Sequence, residues 1–152
     1  MDRKPAANQN QGNPAELDYT QEIGRLHLIR QVAGLTATIR DRVLLLNRTL
    51  ELLQNFFSFS GGGIYQLHDL ESPLHLVSEI DISKELSREL QKVPAGRGLI
   101  AQVVKSGTPH SWTELRDEQQ LYCRALLDAG WKSLLAHPLI AHERILGVLF
   151  FY

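Results

Sequence analysis

The fold of this chain is decided by its last third, which contains GRGLIAQVV (residues 96–104), GWKSLLAHPLI (130–140) and ILGVLFFY (145–152). The first segment turns on Gly96 and Gly98 and then takes up the apolar spacing of an amphipathic helix. The other two segments are apolar, β-rich runs separated by the short polar stretch 141–144. Two such runs joined in this way predict an antiparallel hairpin, so the sequence predicts an α/β domain.

The composition limits the partners and the location of the protein. A formal net charge of −1 over 152 residues gives no electrostatic attraction to nucleic acid. The longest apolar run, 145–152, is far shorter than the roughly 20 residues of a membrane-spanning helix. The single cysteine, Cys123, excludes an internal disulfide and fits a reducing compartment. We therefore expect a cytoplasmic protein with no nucleic-acid or membrane partner.

The N-terminal part divides into a tail and a long helix. Residues 1–18 are rich in Asn, Gln, Pro and Ala, which predicts a disordered tail. Residues 19–57 carry apolar side chains in heptad register, which predicts one long amphipathic helix. The helix either covers one face of a sheet or also pairs with its copy in a second chain. Because about 35 helical residues span roughly 50 Å, its length favours the second interpretation. The candidate dimer contacts are Val32, Ile39, Val43, Leu46, Leu50 and Leu53.

The folded domain is expected at residues 58–152. Gly61 to Gly63 should end the long helix, and Ser83 is a plausible N-cap of a later one. Pro109 excludes a helix around it, which predicts a short extended segment there. The remaining predicted elements are strands at 64–67 and 74–78, helices at 83–92, 99–105 and 117–128, and the extended segment 108–112.

In order and spacing these elements resemble a GAF domain, the small-molecule sensing module of signalling proteins. The resemblance is carried by the helix leading into a strand pair, Gly96-Arg97-Gly98, Ser106-Gly107-Thr108-Pro109, and the strands at 133–140 and 145–149. It implies a central antiparallel sheet with the long N-terminal helix on one face, and short helices and loops over a ligand pocket on the other. The family continues beyond the last strand into a further helix, which this sequence lacks. Part of one sheet face should then be uncovered.

The known chemistries of GAF domains can be compared with this sequence residue by residue. The Asn-Lys, Phe and Asp-Glu set of the cyclic-nucleotide-binding members is not found. The methionine sulfoxide reductases of this fold need a thiol–disulfide cycle, which Cys123 alone cannot complete. Cys123 lies near the bilin-attachment position, but Arg124 follows it where many relatives have histidine. A small buried thiol is the alternative. No catalytic set is visible, and we expect no enzyme.

The histidines show no metal-binding spacing, so no metal site is predicted. A pocket over the open sheet face would need side chains with an apolar body and a polar handle, such as Trp112 and Tyr122. His137 on a central strand could also face it. Each of these side chains could equally belong to the ordinary core or to a sheet surface. The candidate ligand contacts are Trp112, Leu115, Tyr122, Cys123, Leu126 and His137.

The resemblance therefore implies a sensory or regulatory GAF domain. It would bind a small molecule and relay that event through its N-terminal helix, in a homodimer, to an output domain or partner of a bacterial-type signalling protein. The alternative is a ligand-free GAF domain that acts only in dimerisation or docking. The sequence identifies no ligand or cofactor.

Overall fold

The computed structural model describes residues 14–116 and 123–152, the side chains of residues 14–18 and Cys123 excepted. The helices are α1 Pro14–Thr38, α2 Arg42–Phe57, α3 Lys84–Leu90, α4 Leu99–Ser106 and α5 Cys123–Asp128. The strands are β1 Gly62–Gln66, β2 Leu74–Ile80, β3 Lys92–Val93, β4 His110–Trp112, β5 Leu134–Ala141 and β6 Arg144–Phe151. The strands form one sheet in the order β3-β2-β1-β6-β5-β4, and its neighbours pair antiparallel. This confirms the predicted fold class.

The C-terminal hairpin forms as the sequence predicts. Strands β5 and β6 pair along their length, and Ala141 lies opposite Arg144 across the turn. The turn residues His142 and Glu143 have φ angles of 49° and 61°. Two consecutive positive φ values are those of a type I′ turn, whose twist matches that of the strands it joins. The hairpin thus supplies the central strand β6 and its neighbour β5, which pairs with the edge strand β4.

The long helix expected at 19–57 is divided into two helices. Helix α1 runs to Thr38, and α2 begins after Asp41, whose carboxylate accepts a hydrogen bond from the Leu44 amide at 2.7 Å. The two helices pack on each other, and the backbone of Gly24 lies close to the ring of Phe56. They therefore form a helical hairpin. Folding back in this way accommodates a helical segment that would be too long to lie on the sheet as one straight helix. The N-cap at Asp41 restarts the helix.

The first helix also begins earlier than expected. It starts at Pro14, so residues 14–18, which were expected in the tail, are helical. Proline at the first helical position loses no intrahelical hydrogen bond and has a suitable φ angle. The rest of the expected tail, 1–13, lies outside the described residues.

The core lies between the sheet and the short helices. Tyr65 and Phe150 project from β1 and β6 into one cluster with Val103 of α4 and Leu126 of α5. On the opposite face, α2 packs on β2 and β1. There the Ser78 hydroxyl donates a hydrogen bond to the Asn47 side-chain oxygen at 2.6 Å. The predicted layers, a helix on one face and short helices and loops on the other, are confirmed.

The β5–β6 half of the α2 face is less covered. Ile64 pairs with both Ser78 and Leu149, so Leu149 projects to the same side as the α2 contact. Leu149 and Phe151 on β6, with Leu135 on β5, are only half-buried. Phe151 stacks on Phe59 with ring centroids 4.7 Å apart. An apolar strip of the sheet therefore remains partly open beside α2.

Candidate functional site

The interior of the domain holds a small cavity between the sheet and the helices α4 and α5. Its volume is about 20 Å³. Gly98, with a φ angle of 87°, begins the turn into α4 at one side of it. The walls include Tyr65, Leu90, Leu99, Leu126, Trp131 and Phe150. This is the side of the sheet on which the sequence predicts a ligand pocket.

Aromatic rings fill the space around the cavity. Trp131 is 2% exposed, and its ring stacks on Tyr152 with centroids 3.6 Å apart. Tyr65 stacks on Phe150 at 5.0 Å, and Trp131 lies 6.2 Å from the same ring. The rings therefore occupy much of the volume that a bound molecule would need.

The polarity of the cavity further restricts what it can hold. The Tyr65 hydroxyl donates a hydrogen bond to the Leu90 carbonyl oxygen at 2.8 Å, so it already has a partner. Apart from the indole N–H of Trp131, the remaining wall side chains named above are apolar. A site of this size admits about one water molecule, whereas ligand pockets usually measure about 300–1,000 Å³. A charged ligand here would lose its hydration without gaining polar contacts from these walls.

The predicted ligand contacts do not lie together in the structure. Leu126 lines the cavity, and Leu115 is buried in the same core, where its amide donates to the Lys132 carbonyl oxygen at 2.8 Å. Trp112, half-buried on the edge strand β4, stacks on His110 at 5.5 Å. His137 is exposed and pairs with Leu149, which places it on the α2 side of the sheet, away from the cavity. Tyr122 and the side chain of Cys123 lie outside the described residues.

Sequence reasoning missed the aromatic residues of the cavity. Tyr65, Trp131 and Phe150 were not among the candidates, although each is buried against it. Alternation along the strands could have found Tyr65 and Phe150, since each lies two residues from another inward-facing position. Trp131 directly follows the Gly130 stop of α5, and a sequence gives no direct sign that such a residue turns inward.

The predicted dimer contacts mostly pack within the chain. Leu50 is fully buried, and Leu46 and Leu53 are half-buried on the same helix. Val32 and Ile39 are also half-buried, while Val43 is 51% exposed. A second chain could therefore reach Val43 directly but could not reach Leu50.

Helix α1 instead has a second apolar face. Its partly buried positions, Gly24, Leu28, Val32 and Leu35, recur at helical spacing, as expected of the side that packs on α2. Four large apolar side chains elsewhere on the helix are exposed: Tyr19 at 73%, Ile23 at 58%, Leu26 at 58% and Ile29 at 64%. We call these four residues the outer face of α1.

A serine–histidine contact lies at the C-terminal end of α4. The Ser106 hydroxyl lies 2.9 Å from His110 Nε2, and it also accepts hydrogen bonds from the amide and the hydroxyl of Thr108. In the described part of the chain, no carboxylate is hydrogen-bonded to His110. The geometry is that of a turn after a helix, capped at Gly107, and not that of a catalytic triad.

The described residues contain neither a metal cluster nor a membrane-spanning helix. Among them, no cluster of three or more His, Cys, Asp or Glu side chains could hold a metal ion. No helix in that part of the chain has the length and apolarity required to cross a bilayer.

Solved structures share this fold. The nlh2 GAF domain of A. aeolicus in an inactive state is 12% identical, with 86% of this chain and 79% of that chain covered and a TM-score of 0.68. The GAF domain of a phosphoenolpyruvate-protein phosphotransferase from Coxiella burnetii is 16% identical, with coverages of 85% and 77% and a TM-score of 0.69. Free methionine-R-sulfoxide reductase from Neisseria meningitidis, in complex with its substrate, is 22% identical, with coverages of 82% and 70% and a TM-score of 0.65.

These similarities show a fold that GAF domains share with an enzyme. No curated protein sequence matches the chain. The family model of the GAF domain matches residues 40–152, which include every strand of the sheet described above. The chain therefore belongs to the GAF domain family.

Proposed function

We propose that this GAF domain is a regulatory module that acts by association, through α1, with a second copy of itself. The family commonly serves sensory and regulatory roles. The observation that carries the proposal is the contrast between a nearly filled interior and an exposed apolar helix face. In this account the domain transmits its state to an output domain or partner through the α1–α2 hairpin.

The filled interior argues against a tightly held small molecule. The cavity of about 20 Å³ lies against Trp131 and Phe150, both 2% exposed. A ligand of ordinary size would have to displace these rings and so break their packing. This favours the ligand-free role over the sensory one.

The outer face of α1 supports association. A helix that is apolar on both sides is normally buried on both sides. Covering one large apolar side chain stabilises an assembly by roughly 1.5–3 kcal/mol, before the cost of ordering the partners is subtracted. Four such side chains lie along this face, interleaved with the charged Glu22 and Arg30, and exposed apolar side chains grouped on one face mark interaction sites.

We further propose that the chain is not an enzyme. The reductase from N. meningitidis has a similar fold, but only the fold is shared at 22% identity. The chain has a single cysteine, Cys123, so one copy cannot form the internal disulfide of a thiol–disulfide cycle. A colorimetric assay with free methionine sulfoxide and dithiothreitol should show no reduction above a reaction without protein.

Sedimentation velocity of the full chain tests the association directly. We expect a dimer whose dissociation constant rises at least tenfold in Leu26→Glu, because the substitution buries a carboxylate at the interface. Leu70→Glu is the matched control, since Leu70 is 70% exposed in the turn between β1 and β2. The proposal is wrong if the wild-type chain stays monomeric at every accessible concentration, or if both variants dissociate alike.

A second candidate, the sensor of a small molecule, is favoured by the position of the cavity. It lies against α4 and α5, on the sheet face opposite α2, and Leu126, a predicted ligand contact, lines it. Binding there would have to favour one of two arrangements of the helical hairpin in order to produce a signal. A small apolar molecule suits these walls best.

Tryptophan fluorescence can separate the two candidates. Trp112→Phe leaves Trp131, which lines the cavity, as the only tryptophan of the chain. A molecule in the cavity should change its emission saturably, and Leu126→Phe, which adds volume without a second tryptophan, should abolish that response by filling the space. If a panel of small apolar molecules leaves the emission unchanged, the sensory function has no support.

A further inference from the structure

We infer that α1 can leave α2 of its own chain and take the same place on α2 of a second copy, so that two chains exchange their first helices. The inference goes beyond the proposed function, because the exchange uses the inner side of α1 and leaves its outer face free. It arises from the short connection between the two helices and from the apolar spacing on either side of it.

The connection between α1 and α2 is compatible with a helix. It consists of Ile39, Arg40 and Asp41, without glycine or proline, and none of these three described residues has a positive φ angle. The Ile39 amide still donates a helical hydrogen bond to the Leu35 carbonyl oxygen at 2.8 Å. Asp41 has a φ angle of −73°, close to the helical value, and leaves the helix through its ψ angle of 120°. The connection can therefore become helical without backbone strain.

Bent and straight forms use different hydrogen bonds at this connection. In the bent form the Leu44 amide donates to the Asp41 carboxylate at 2.7 Å. In a continuous helix the amides of residues 40–44 would donate to the carbonyl oxygens of residues 36–40. The side-chain cap therefore favours the bent form, while the backbone favours the straight one.

The side of α2 that contacts α1 lies opposite its sheet side. Asn47 and Gln54 are hydrogen-bonded to residues on and after β2, and Leu50 is fully buried, so these three face the sheet. At about 100° per residue, the opposite side carries Leu45, Thr49, Leu52 and Phe56. The ring of Phe56 lies against Gly24 of α1, as this assignment requires.

The contact residues of the two helices continue one another in heptad phase. They occupy two heptad positions, with Leu28, Leu35, Thr49 and Phe56 at one, and Leu45 and Leu52 at the other. Gly24 shares the second position. Heptad spacing keeps both positions on one side of a supercoiled helix. A straight α1–α2 helix would therefore present one largely apolar seam to a partner.

The bent structure also determines how two straight helices would pair. Arg40 lies midway in sequence between Gly24 and Phe56, which contact each other within one chain. An antiparallel pair about a two-fold axis at Arg40 would place Gly24 against the partner's Phe56. The α1–α2 contacts of a single chain would then be remade between two chains, which is the definition of a domain swap.

Polar side chains in the seam oppose the exchange. Gln31, Thr38 and Arg42 fall at the same two heptad positions as the apolar contacts. Arg42 is exposed at the start of α2 in the bent form, whereas in the straight pair it would lie in the seam near the axis. A charge at such a position reduces the stability of a helical pair. Neither form therefore has all the favourable contacts.

Cross-linking of a double-cysteine variant tests the exchange. Gly24→Cys with Phe56→Cys, in a Cys123→Ser background, places two thiols where α1 meets α2. A short bismaleimide should join them within one chain in the bent form and between chains in the exchanged form. After incubation at high concentration, we expect a covalent dimer on a denaturing gel, in a share that rises with chain concentration.

The two single-cysteine variants are the matched controls. In the exchanged pair, Gly24 and its own copy are displaced by roughly 48 Å along the axis, and the same holds for Phe56. Gly24→Cys alone and Phe56→Cys alone should therefore give no covalent dimer above the level of random collision.

Variants of the connection test the exchange without cysteines. Asp41→Ala removes the cap of the bent form only, and should raise the exchanged share roughly tenfold in sedimentation after the same incubation. Asp41→Asn keeps the cap and should behave as the wild type. Insertion of Gly-Gly after Arg40 lengthens the connection and breaks the heptad phase, so it should abolish the exchange.

The outcomes distinguish this inference from the proposed function. Leu26→Glu should dissociate the proposed dimer but leave the interchain product, because Leu26 lies outside the seam. A dimer in sedimentation that gives only the intrachain product would overturn the exchange, while association through the outer face would stand. An interchain product that the Gly-Gly insertion leaves unchanged would also overturn the exchange. A chain that is monomeric throughout and gives only the intrachain product would overturn both.

Discussion

In the central strands, a carbonyl oxygen of the neighbouring strand can leave room for glycine only. A Cβ at Gly147 would overlap the Tyr65 carbonyl oxygen on the neighbouring strand β1. Gly147→Ala must therefore push β6 away from β1, and we expect a loss of about 3 kcal/mol in the free energy of unfolding, measured with urea.

Gly34 provides the matched control for that substitution. Apart from its chain neighbours and the backbone of its own helix, no described atom lies within 4 Å of the position of its added Cβ, and the residue is helical. Gly34→Ala should raise the free energy of unfolding by roughly 0.5–1 kcal/mol, because alanine restricts the unfolded chain and favours helix. Equal effects of the two substitutions would contradict the strand spacing described above.

The turn between β1 and β2 makes a pH-dependent prediction. The Ser72 hydroxyl and amide and the Glu71 amide donate hydrogen bonds to the Asp69 carboxylate, and the Ser72 hydroxyl contributes most to lowering the Asp69 pKa. Because the folded-state pKa is lowered, the contribution of these bonds to stability is present above the ordinary aspartate pKa. It is lost as the pH falls through the lower, folded-state value.

Substitution of Ser72 tests this cause. Ser72→Ala should raise the Asp69 pKa toward its ordinary value, and Ser72→Thr, which keeps a hydroxyl, should preserve most of the lowering. Carboxyl ¹³C chemical shifts recorded against pH measure both. A titration of Asp69 that Ser72→Ala leaves unchanged would show that the hydroxyl is not the main cause.

At the scale of elements, one cap determines where the helical hairpin bends. Asp41 Oδ1 accepts a hydrogen bond from the Leu44 amide at 2.7 Å. Asp41→Ala should lower the free energy of unfolding by about 1 kcal/mol, while Asp41→Asn, an equally good cap, should be nearly neutral. Thermal unfolding followed by circular dichroism compares them. Equal destabilisation by both would show that charge, and not capping, matters here.

The elements that depend on residues close in sequence, such as turns and helix caps, could be predicted from the sequence. The hairpin at β5 and β6 and the N-cap at Ser83, whose hydroxyl accepts from the Leu86 amide at 3.2 Å, are confirmed. The break between α1 and α2 was missed because Ile39, which lies in it, keeps the heptad spacing of the apolar residues on either side. The cavity was missed because Tyr65, Trp131 and Phe150, distant in sequence, meet only in the folded chain.

At the scale of the molecule, the family match and the shared architecture confirm the resemblance seen in the sequence. The helical part begins at Pro14 and is divided after Thr38. The tail at residues 1–13 and the domain boundary at residue 57 stay predictions. The structure adds where the apolar side chains of the described residues lie. The core between the sheet and the short helices accounts for the fold. Outside it, the outer face of α1 is exposed and the strip on β5 and β6 beside α2 is half-buried.

The most direct test of the central claim is a native mass spectrum of the full chain as purified. We expect twice the mass of one chain with no added mass, because α1 pairs with its copy and the interior is filled. The mass of a single chain carrying an additional small molecule would contradict it, since the domain would then hold a ligand without associating.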